Sequence, residues 1–359
     1  MRIVIDAMGS PAGSGGMNLY AREVVGAWAE AHPGDGIIVV GGPWAADAFA
    51  AHANVSVHVV SSVSPVARAW TQLVSSAIVF RRSRADALLS LSPVASPLVP
   101  RARRAVVVHD WRHENHPAEF PLVQRLYRRL WRWSAGSAGT TVAISEKTAA
   151  ETRDRVRPRR LVVVVENGGD HPRRWHTAPA SARGVNVVTY GHLPNKRPEA
   201  VIRAVAAMPD VTLWVLGAVD EYRESLRELA ARYRVTHRVR LPGYVSDRSY
   251  QRIVASAAAF VLNSSDEGFG LPVVEAAYFG IPVVVASDSG LAAIHPGAVH
   301  VSDPDPQSIA DAVTAALREE PRRPRRVRPW ADCAREARAA VEASLPRPSQ
   351  VPAIAGSRR

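Results

Sequence analysis

The sequence predicts an α/β fold made of two doubly wound domains facing a cleft, and three observations carry that prediction. Short apolar runs such as "RIVID", "GIIVVGG" and "RAVVVHD" alternate with stretches whose apolar residues recur at helical spacing. The alternation is interrupted by proline and polar residues in "DHPRRWHTAPASARG" (170–184) and restarts with "GVNVVTYG". A chain of 359 residues, 47% of them apolar, suits two cores of ordinary size better than one. The expected boundaries are 1–172 and 173–320, followed by a connector and terminal helix over 321–345 and a disordered tail over 346–359.

In the first domain "RIVID" reads as a strand and "GSPAGSGG" as a glycine loop. The helix that follows carries Leu19, Val24, Ala27, Trp28 and Ala31 on one stripe. "GIIVVGG" and "VSVHVVS" are strands, residues 65–80 a helix, and "ADALLSLS" and "RAVVVHD" two further strands. A helix near 121–134, the strand "TTVAIS", a helix from Glu146 and the strand "RLVVVVENGGD" complete this half. In the second, the strands "GVNVVTYG", "VTLWVLG", "RVRLPGY", "AFVLNS", "IPVVVAS" and "AVHVS" alternate with helices. Past residue 320, "EEPRRPRRVRP" is a basic connector, and "WADCAREARAAVEASL" reads as a helix that braces the first domain.

Composition narrows the function. No apolar run approaches the roughly 18 residues a membrane span needs, and "MRIVIDAMGS" enters a strand directly instead of a secretory leader. One cysteine, Cys333, leaves no internal disulfide and no cysteine-based zinc cluster. A cytoplasmic protein is expected. The net charge of +12 favours anionic partners. A nucleic-acid-binding reading finds no helix-turn-helix, aromatic RNA-binding signature or zinc finger, and no nucleic acid is expected.

The most informative stretch is "DEGFGLPVVEAAYFGIPVVVA" (266–286). It follows an apolar strand, so its residues lie at a strand's C-terminal edge, where open α/β sheets bind ligands. Gly268 and Gly270 allow close backbone approach and positive φ. Pro272 suits the first helical position and Gly280 the stop. The N–H groups around Gly270–Val274 are helix-start donors suited to an anion such as a diphosphate. Glu275, one turn in, could accept two hydroxyl hydrogen bonds from a ribose, while Glu267 in the loop faces whatever the phosphate carries. Taken alone, two glutamates near a helix start are more often plain solvent-facing residues.

The surrounding order of motifs outweighs that reading. "SSDEGFGLPVVEAAYFGIPVVVASDSGL" resembles the C-terminal signature of retaining glycosyltransferases of family 4, which have the GT-B fold of two Rossmann-like domains. "RIVIDAMGSPAGSGGMNLYARE", "VVVHDWRHENHPAEFP", "TVAISEKTAAE", "VVENGGD", "VVTYGHLPNKRPEAVIRAV" and "RVRLPGYVSDRSYQRIVASAAAFVLNS" follow in that family's order over residues 1–320.

The resemblance implies a nucleoside diphosphate sugar as donor, with no further cofactor. Glu275 then holds the donor ribose and Glu267 lies by the donor sugar's hydroxyls. Backbone groups of Gly268, Phe269, Gly270 and Leu271 touch sugar and diphosphate, and Gly15 and Gly16 approach the diphosphate from the other domain. Lys196, assisted by Arg197, neutralises the departing diphosphate. Tyr244 and Val245 form a nucleobase shelf, His109 stands beside the reacting sugar, and Asp110 lies near the acceptor. His192 occupies a position where many members carry arginine, which implies a weaker or pH-sensitive diphosphate clamp, and Ala293 stands where many carry glutamate.

"DPD" (303–305) resembles the metal site of the other glycosyltransferase fold, but before "PQSIADAV" Asp305 reads better as a helix cap with Pro306 behind it. No metal is expected. The segments "VIDAMGS" and "HDW" look closest to mannosyl- and rhamnosyltransferase-like members, so GDP-mannose and dTDP-rhamnose come first as donors, and UDP-hexoses stay open. The acceptor is a glycan, a lipid-linked sugar or a small molecule. "LVQRLYRRLWRW" (122–133) sets Leu122, Leu126, Leu130 and Trp133 against a face of arginines. It reads as a core-packed surface helix, with docking on an anionic membrane, together with "RARR" (101–104), as the alternative. A phosphorylase on the same fold is the alternative enzyme.

Overall fold

A computed structural model describes residues 1–10, 12, 15–61, 64–156, 162–176, 185–319 and 327–346, the side chains of 123 and 126 excepted. The expected tail, part of the basic connector, part of the glycine loop and Leu126 therefore lie outside the described residues. Strands β1 (Arg2–Asp6), β2 (Gly36–Gly41), β3 (Val55–Val59), β4 (Ala87–Ser90), β5 (Arg104–Val108), β6 (Thr140–Ala143) and β7 (Val162–Val164) form a 7-stranded parallel sheet. Its order is β3-β2-β1-β4-β5-β6-β7. Strands β8 (Asn186–Tyr190), β9 (Thr212–Leu216), β10 (Val239–Gly243), β11 (Ala259–Leu262), β12 (Val283–Ala286) and β13 (His300–Ser302) form a 6-stranded parallel sheet in the order β10-β9-β8-β11-β12-β13. Both are doubly wound. The strand order reverses beside β1 and β4 in one sheet and beside β8 and β11 in the other, which makes the loops after these strands the ligand-binding positions.

The central strands are buried along their whole length (Ala87–Ser90, Arg104–Val108, Ala259–Leu262, Val283–Ala286), as sheets covered by helices on both faces require. The helix Pro65–Arg82 contains a π turn at Thr71–Ser75. That turn directs buried Gln72 inward, where it donates to Ser92 Oγ (2.7 Å) and accepts from Tyr127 Oη (2.6 Å). In the helix Leu122–Ser137 the buried residues are Trp131, Ser134 and Ala135, whereas Leu122 and Trp133 are exposed. Arg104 in "RARR" is also buried, donating to the carbonyls of Ser96 (3.0 Å) and Ser137 (2.9 Å), so it is unavailable as part of a surface patch.

The terminal helix Trp330–Ser344 packs into the first domain. Trp330, Cys333, Ala334, Ala337 and Val341 share a core with Tyr20, Val24 and Trp28 of the helix Gly16–Ala31. Arg338 donates to Asp35 (Nε to Oδ2, 2.7 Å), which also accepts from Trp28 Nε1 (2.9 Å) and the Met1 ammonium (2.7 Å). Burial alone would raise the Asp35 carboxyl, but these three donors outweigh it and hold it well below its ordinary 3.8. A carboxylate depressed in the folded state stabilises above its unfolded value and loses that contribution as the pH falls through its folded value. Asp35→Asn is therefore expected to cost about 3 kcal/mol near neutral pH, with the gap to wild type narrowing once the pH drops below 3.8. Urea unfolding across pH measures it, and a constant gap would show that charge is not responsible.

Candidate functional site

The loops after β8 and β11 place two oppositely charged groups together. β8 ends at Tyr190; a short 3-10 turn, Pro194–Lys196, then leads into the helix Pro198–Ala204. Lys196 Nζ lies 2.5 Å from Glu267 Oε1, with side chains 17% and 21% exposed, so the pair is desolvated but still reachable from the cleft. Burial pushes the Glu267 carboxyl up; Lys196, a hydrogen bond from Ser264 and nearby His192 offset this and hold it below the ordinary value. His192 is lowered to about 4, first by burial and then by Lys196, so its imidazole is neutral at neutral pH. The pH-sensitivity expected of a clamp containing His192 therefore lies in the acid range. Buried side-chain atoms of Asn195, Asn263 and Ser265 beside this pair have no hydrogen-bond partner, which suits a site that takes a polar ligand.

Gly270 (φ 80°) caps the helix Leu271–Tyr278, with Pro272 at its second position, one residue later than the sequence suggested. Proline has no N–H and Val273 N–H is bonded to Gly270 O (2.8 Å), so the free start-of-helix donors are fewer than expected. Gly268 serves close approach instead of positive φ: a Cβ there would sit 1.9 Å from His109 O. Its carbonyl accepts from Ser145 Oγ (2.7 Å) and that of Phe269 from His295 Nε2 (2.6 Å). Gly15 (φ 80°) caps the helix Gly16–Ala31, and a Cβ added at Gly16 would lie 3.6 Å from Leu271 Cδ1, so the glycine loop of one domain meets the helix start of the other.

Glu275 is 4% exposed and accepts two hydrogen bonds. His171 Nε2 lies 3.0 Å from Oε1, and Tyr250 Oη donates to Oε2 (2.5 Å). The proton directions follow from the partners. Trp330 Nε1–H can only donate, and it lies 3.2 Å from His171 Nδ1. Nδ1 must therefore accept, Nε2 carries the hydrogen, and it is given to Glu275. Tyr250 spends its one hydrogen on Glu275, so Tyr190 donates to Tyr250 (2.7 Å). The chain of donors converges on one carboxylate and fills about two of its four acceptor positions.

His109 directly follows β5 and is half-buried, its Nε2 2.9 Å from Leu91 O after β4. Desolvation lowers its pKa from the ordinary histidine value, which favours the neutral ring. Asp110 Oδ1 accepts from Arg112 N–H (3.1 Å). Both line a cavity of about 130 Å³ together with Met17, Pro93, Arg112, Phe120, Arg128 and Trp131. Arg197 is engaged: both terminal nitrogens reach Asp288 (2.9 and 2.6 Å) and Nε reaches Asn263 O (2.7 Å). Tyr244 is 72% exposed and Val245 half-buried, and no hydrogen bond or ring contact among the described residues joins Tyr244 to the Lys196–Glu267 pair. Asp305 accepts from Gln307 and Ser308 N–H (3.0 Å each), the helix cap expected of it. Ala293 lies in the short helix Leu291–Ile294, whose Leu291 packs against Gly270.

Sequence reasoning missed several participants. His171 was read as connector, yet Gly169 N–H to Arg328 O (2.9 Å) and Trp330 N–H to Asp170 Oδ1 (2.9 Å) clasp both interdomain crossings around it. Lys147 Nζ reaches Asp266 Oδ1 (2.6 Å) and Asn115 Nδ2 reaches Oδ2 (2.7 Å), tying the first domain to the loop that carries Glu267. No signal within "DHPRRW" points to His171, whose partners lie 104 and 159 residues away.

Comparison with known proteins bears on the fold and the family. The model of the glycosyl transferase 4-like domain matches residues 15–168, and that of glycosyl transferases group 1 matches residues 182–329. The lipopolysaccharide core biosynthesis glycosyltransferase LpsE of Rhizobium meliloti is 27% identical over 214 residues, 58% of this chain and 58% of LpsE. The O-antigen chain mannosyltransferase B of Escherichia coli is 36% identical over 83 residues, 23% of this chain and 22% of its own. The chain thus matches 58% or less of the length of these two relatives. Among solved structures, Anabaena HepE in complex with UDP and glucose superimposes with a TM-score of 0.66 at 19% identity, covering 96% of this chain and 95% of that one. WaaG, a glycosyltransferase involved in lipopolysaccharide biosynthesis, gives 0.65 at 16% identity, covering 96% and 98%.

Proposed function

This chain belongs to the GT-B glycosyltransferases, and we propose that it moves a hexose from a nucleoside diphosphate sugar to an acceptor hydroxyl with retention and without a metal. The observation that carries the proposal is the Lys196–Glu267 pair (2.5 Å), whose glutamate sits in the loop that leads into the helix bearing Glu275. Glu275 takes the ribose hydroxyls on its remaining acceptor positions. Lys196 neutralises the diphosphate, and Glu267 hydrogen-bonds the sugar. Tyr244 and Val245 meet the base, and Arg197 assists once the diphosphate competes for its guanidinium.

In the transfer step the bond from the sugar's anomeric carbon to the phosphate oxygen breaks. The acceptor oxygen bonds to that carbon on the same face, and its proton passes to the leaving phosphate oxygen. His109, half-buried and with its pKa lowered by desolvation, positions the sugar and is not needed as a base. GDP-mannose, dTDP-rhamnose and UDP-hexoses are the donors to compare; HepE binding UDP and glucose supports the last. The activities named for LpsE and the O-antigen enzyme support a polysaccharide or glycolipid acceptor, and the inner face of a membrane is the proposed place where it is met. Among the described residues no helix is long and apolar enough to cross one.

Thermal-shift measurement against these nucleotide sugars tests the assignment, since only a ligand that prefers the folded state stabilises it. One donor class is expected to raise Tm, and Glu275→Ala to abolish that rise. No stabilisation by any of them, or a rise unchanged in the variant, would overturn the donor reading.

A further inference from the structure

The cavity beside His109 holds a guanidinium that makes no ion pair among the described residues. Arg128 lies between two rings, its Cζ 4.2 Å from the Phe120 centroid and 4.7 Å from that of Trp131. Stacking of this kind holds the plane of the fork and leaves its N–H edge for a ligand. Arg112 is paired with Glu119 through Nε (2.9 Å) and Nη2 (2.5 Å). Asp110 accepts from the Arg112 backbone, and its carboxylate is the opposing charge that acts on Arg128 through space. Arg68 lies near both Asp6 and Tyr127. Arg128 is half-buried with no hydrogen-bonded carboxylate among the described residues; the Asp110 charge partly offsets its own, and Arg112 and Arg68 add to the positive field around it.

We propose that the acceptor carries an oxyanion, a phosphate or a carboxylate, which Arg128 binds by a two-pronged contact in this cavity while the reacting hydroxyl lies toward His109 and Asp110. The proposal rests on the donor reading above for what the cleft does, but it concerns a separate group on the opposite domain. The cavity volume of about 130 Å³ fits the charged end of an acceptor and not a whole saccharide, so the remainder lies in the cleft. Phe120 and Trp131 add apolar walls suited to a sugar face. Guanidinium–oxyanion contacts out of bulk water discriminate strongly because a neutral analogue leaves the cation unpaired.

The test measures binding of glucose 6-phosphate, glucuronate and glucose to the full chain saturated with the nucleoside diphosphate that stabilises it most, so that the diphosphate position is filled. At least one anionic probe is expected to bind about tenfold or more tighter than glucose. Which of the two does so separates phosphate from carboxylate. Arg128→Met, which keeps the apolar packing between the rings, is expected to remove the preference, and Arg128→Lys to keep part of it. Arg125→Met, exposed on the same helix, is expected to change nothing. Equal binding of all three probes (none included), a preference that survives Arg128→Met, or one that disappears when nucleotide is added would overturn the proposal. Were no nucleotide to stabilise the chain, the donor reading would fail by itself. The same three probes on Lys196→Met protein without nucleotide would still decide the role of Arg128.

Discussion

Lys196→Met is expected to lower kcat by about 10²–10³-fold with a smaller change in donor KM. The ammonium is already desolvated and fixed against Glu267 at 2.5 Å, so it needs no rearrangement when charge builds on the departing diphosphate. An interaction that strengthens as that charge develops acts on the transition state more than on bound substrate, which is why the loss falls on kcat. The substitution also leaves the Glu267 carboxylate buried without its cation. Burial, the largest influence on that group, then goes unopposed, and its pKa moves up from its present depressed position. The variant's activity is therefore expected to require higher pH than wild type. In wild type the ion pair is complete above the ordinary glutamate range and is lost only as the pH falls through the depressed value. With Lys196 in the proposed role of countering the diphosphate charge, wild-type activity is expected to be unchanged by chelator. An equal loss in kcat and kcat/KM with no pH displacement would fit leaving-group stabilisation without the coupling to Glu267. A retained kcat, or inactivation by chelator restored by manganese, would end this assignment of Lys196.

What the residues revealed in advance divides along a physical line. Periodicity made both sheets legible, since a parallel strand buried on both faces is a short apolar run wherever it occurs, and Ala259–Leu262 and Val283–Ala286 are such runs. Asp305 was legible because capping is local, decided within three residues. The helix Leu122–Ser137 was misread on its face. Its basic stripe suggested Leu122 and Trp133 inside, but the fold buries Trp131 and Ser134 and turns Arg128 to the cavity, a choice set by β5 and the His109 loop and not by the helix itself. His171 was illegible for a related reason. Its partners Glu275 and Trp330 stand 104 and 159 residues away, and nothing in "DHPRRW" announces which strand ends the fold will gather around it.

That distance is what makes His171 worth changing. Its ring is held from both sides: Trp330 N–H fixes Nδ1 as acceptor, and Nε2–H is thereby committed to Glu275 Oε1. The second oxygen is held by Tyr250, so the carboxylate plane is set before any ribose arrives. His171→Ala is expected to weaken nucleotide binding by about tenfold to a hundredfold, the cost of a buried carboxylate losing one donor and its orientation. Because the ribose contact is the same in bound substrate and in the transition state, the loss is expected in KM with kcat nearly constant, the opposite of the Lys196 variant. His171→Gln can still donate to Glu275 and should recover most of the affinity. Trp330→Phe keeps the ring packing and removes only the N–H that fixes the imidazole, so its effect should fall between wild type and His171→Ala. Both chain crossings between the domains meet at this residue, through Asp170 to Trp330 and Gly169 to Arg328, so nucleotide held by Glu275 should in turn steady the crossings. Hydrogen exchange of the Gly169 and Trp330 amides is therefore expected to slow on nucleotide addition in wild type and not in His171→Ala. A His171→Ala protein with lowered Tm but unchanged nucleotide affinity would reduce the residue to a structural one and separate the crossings from the site.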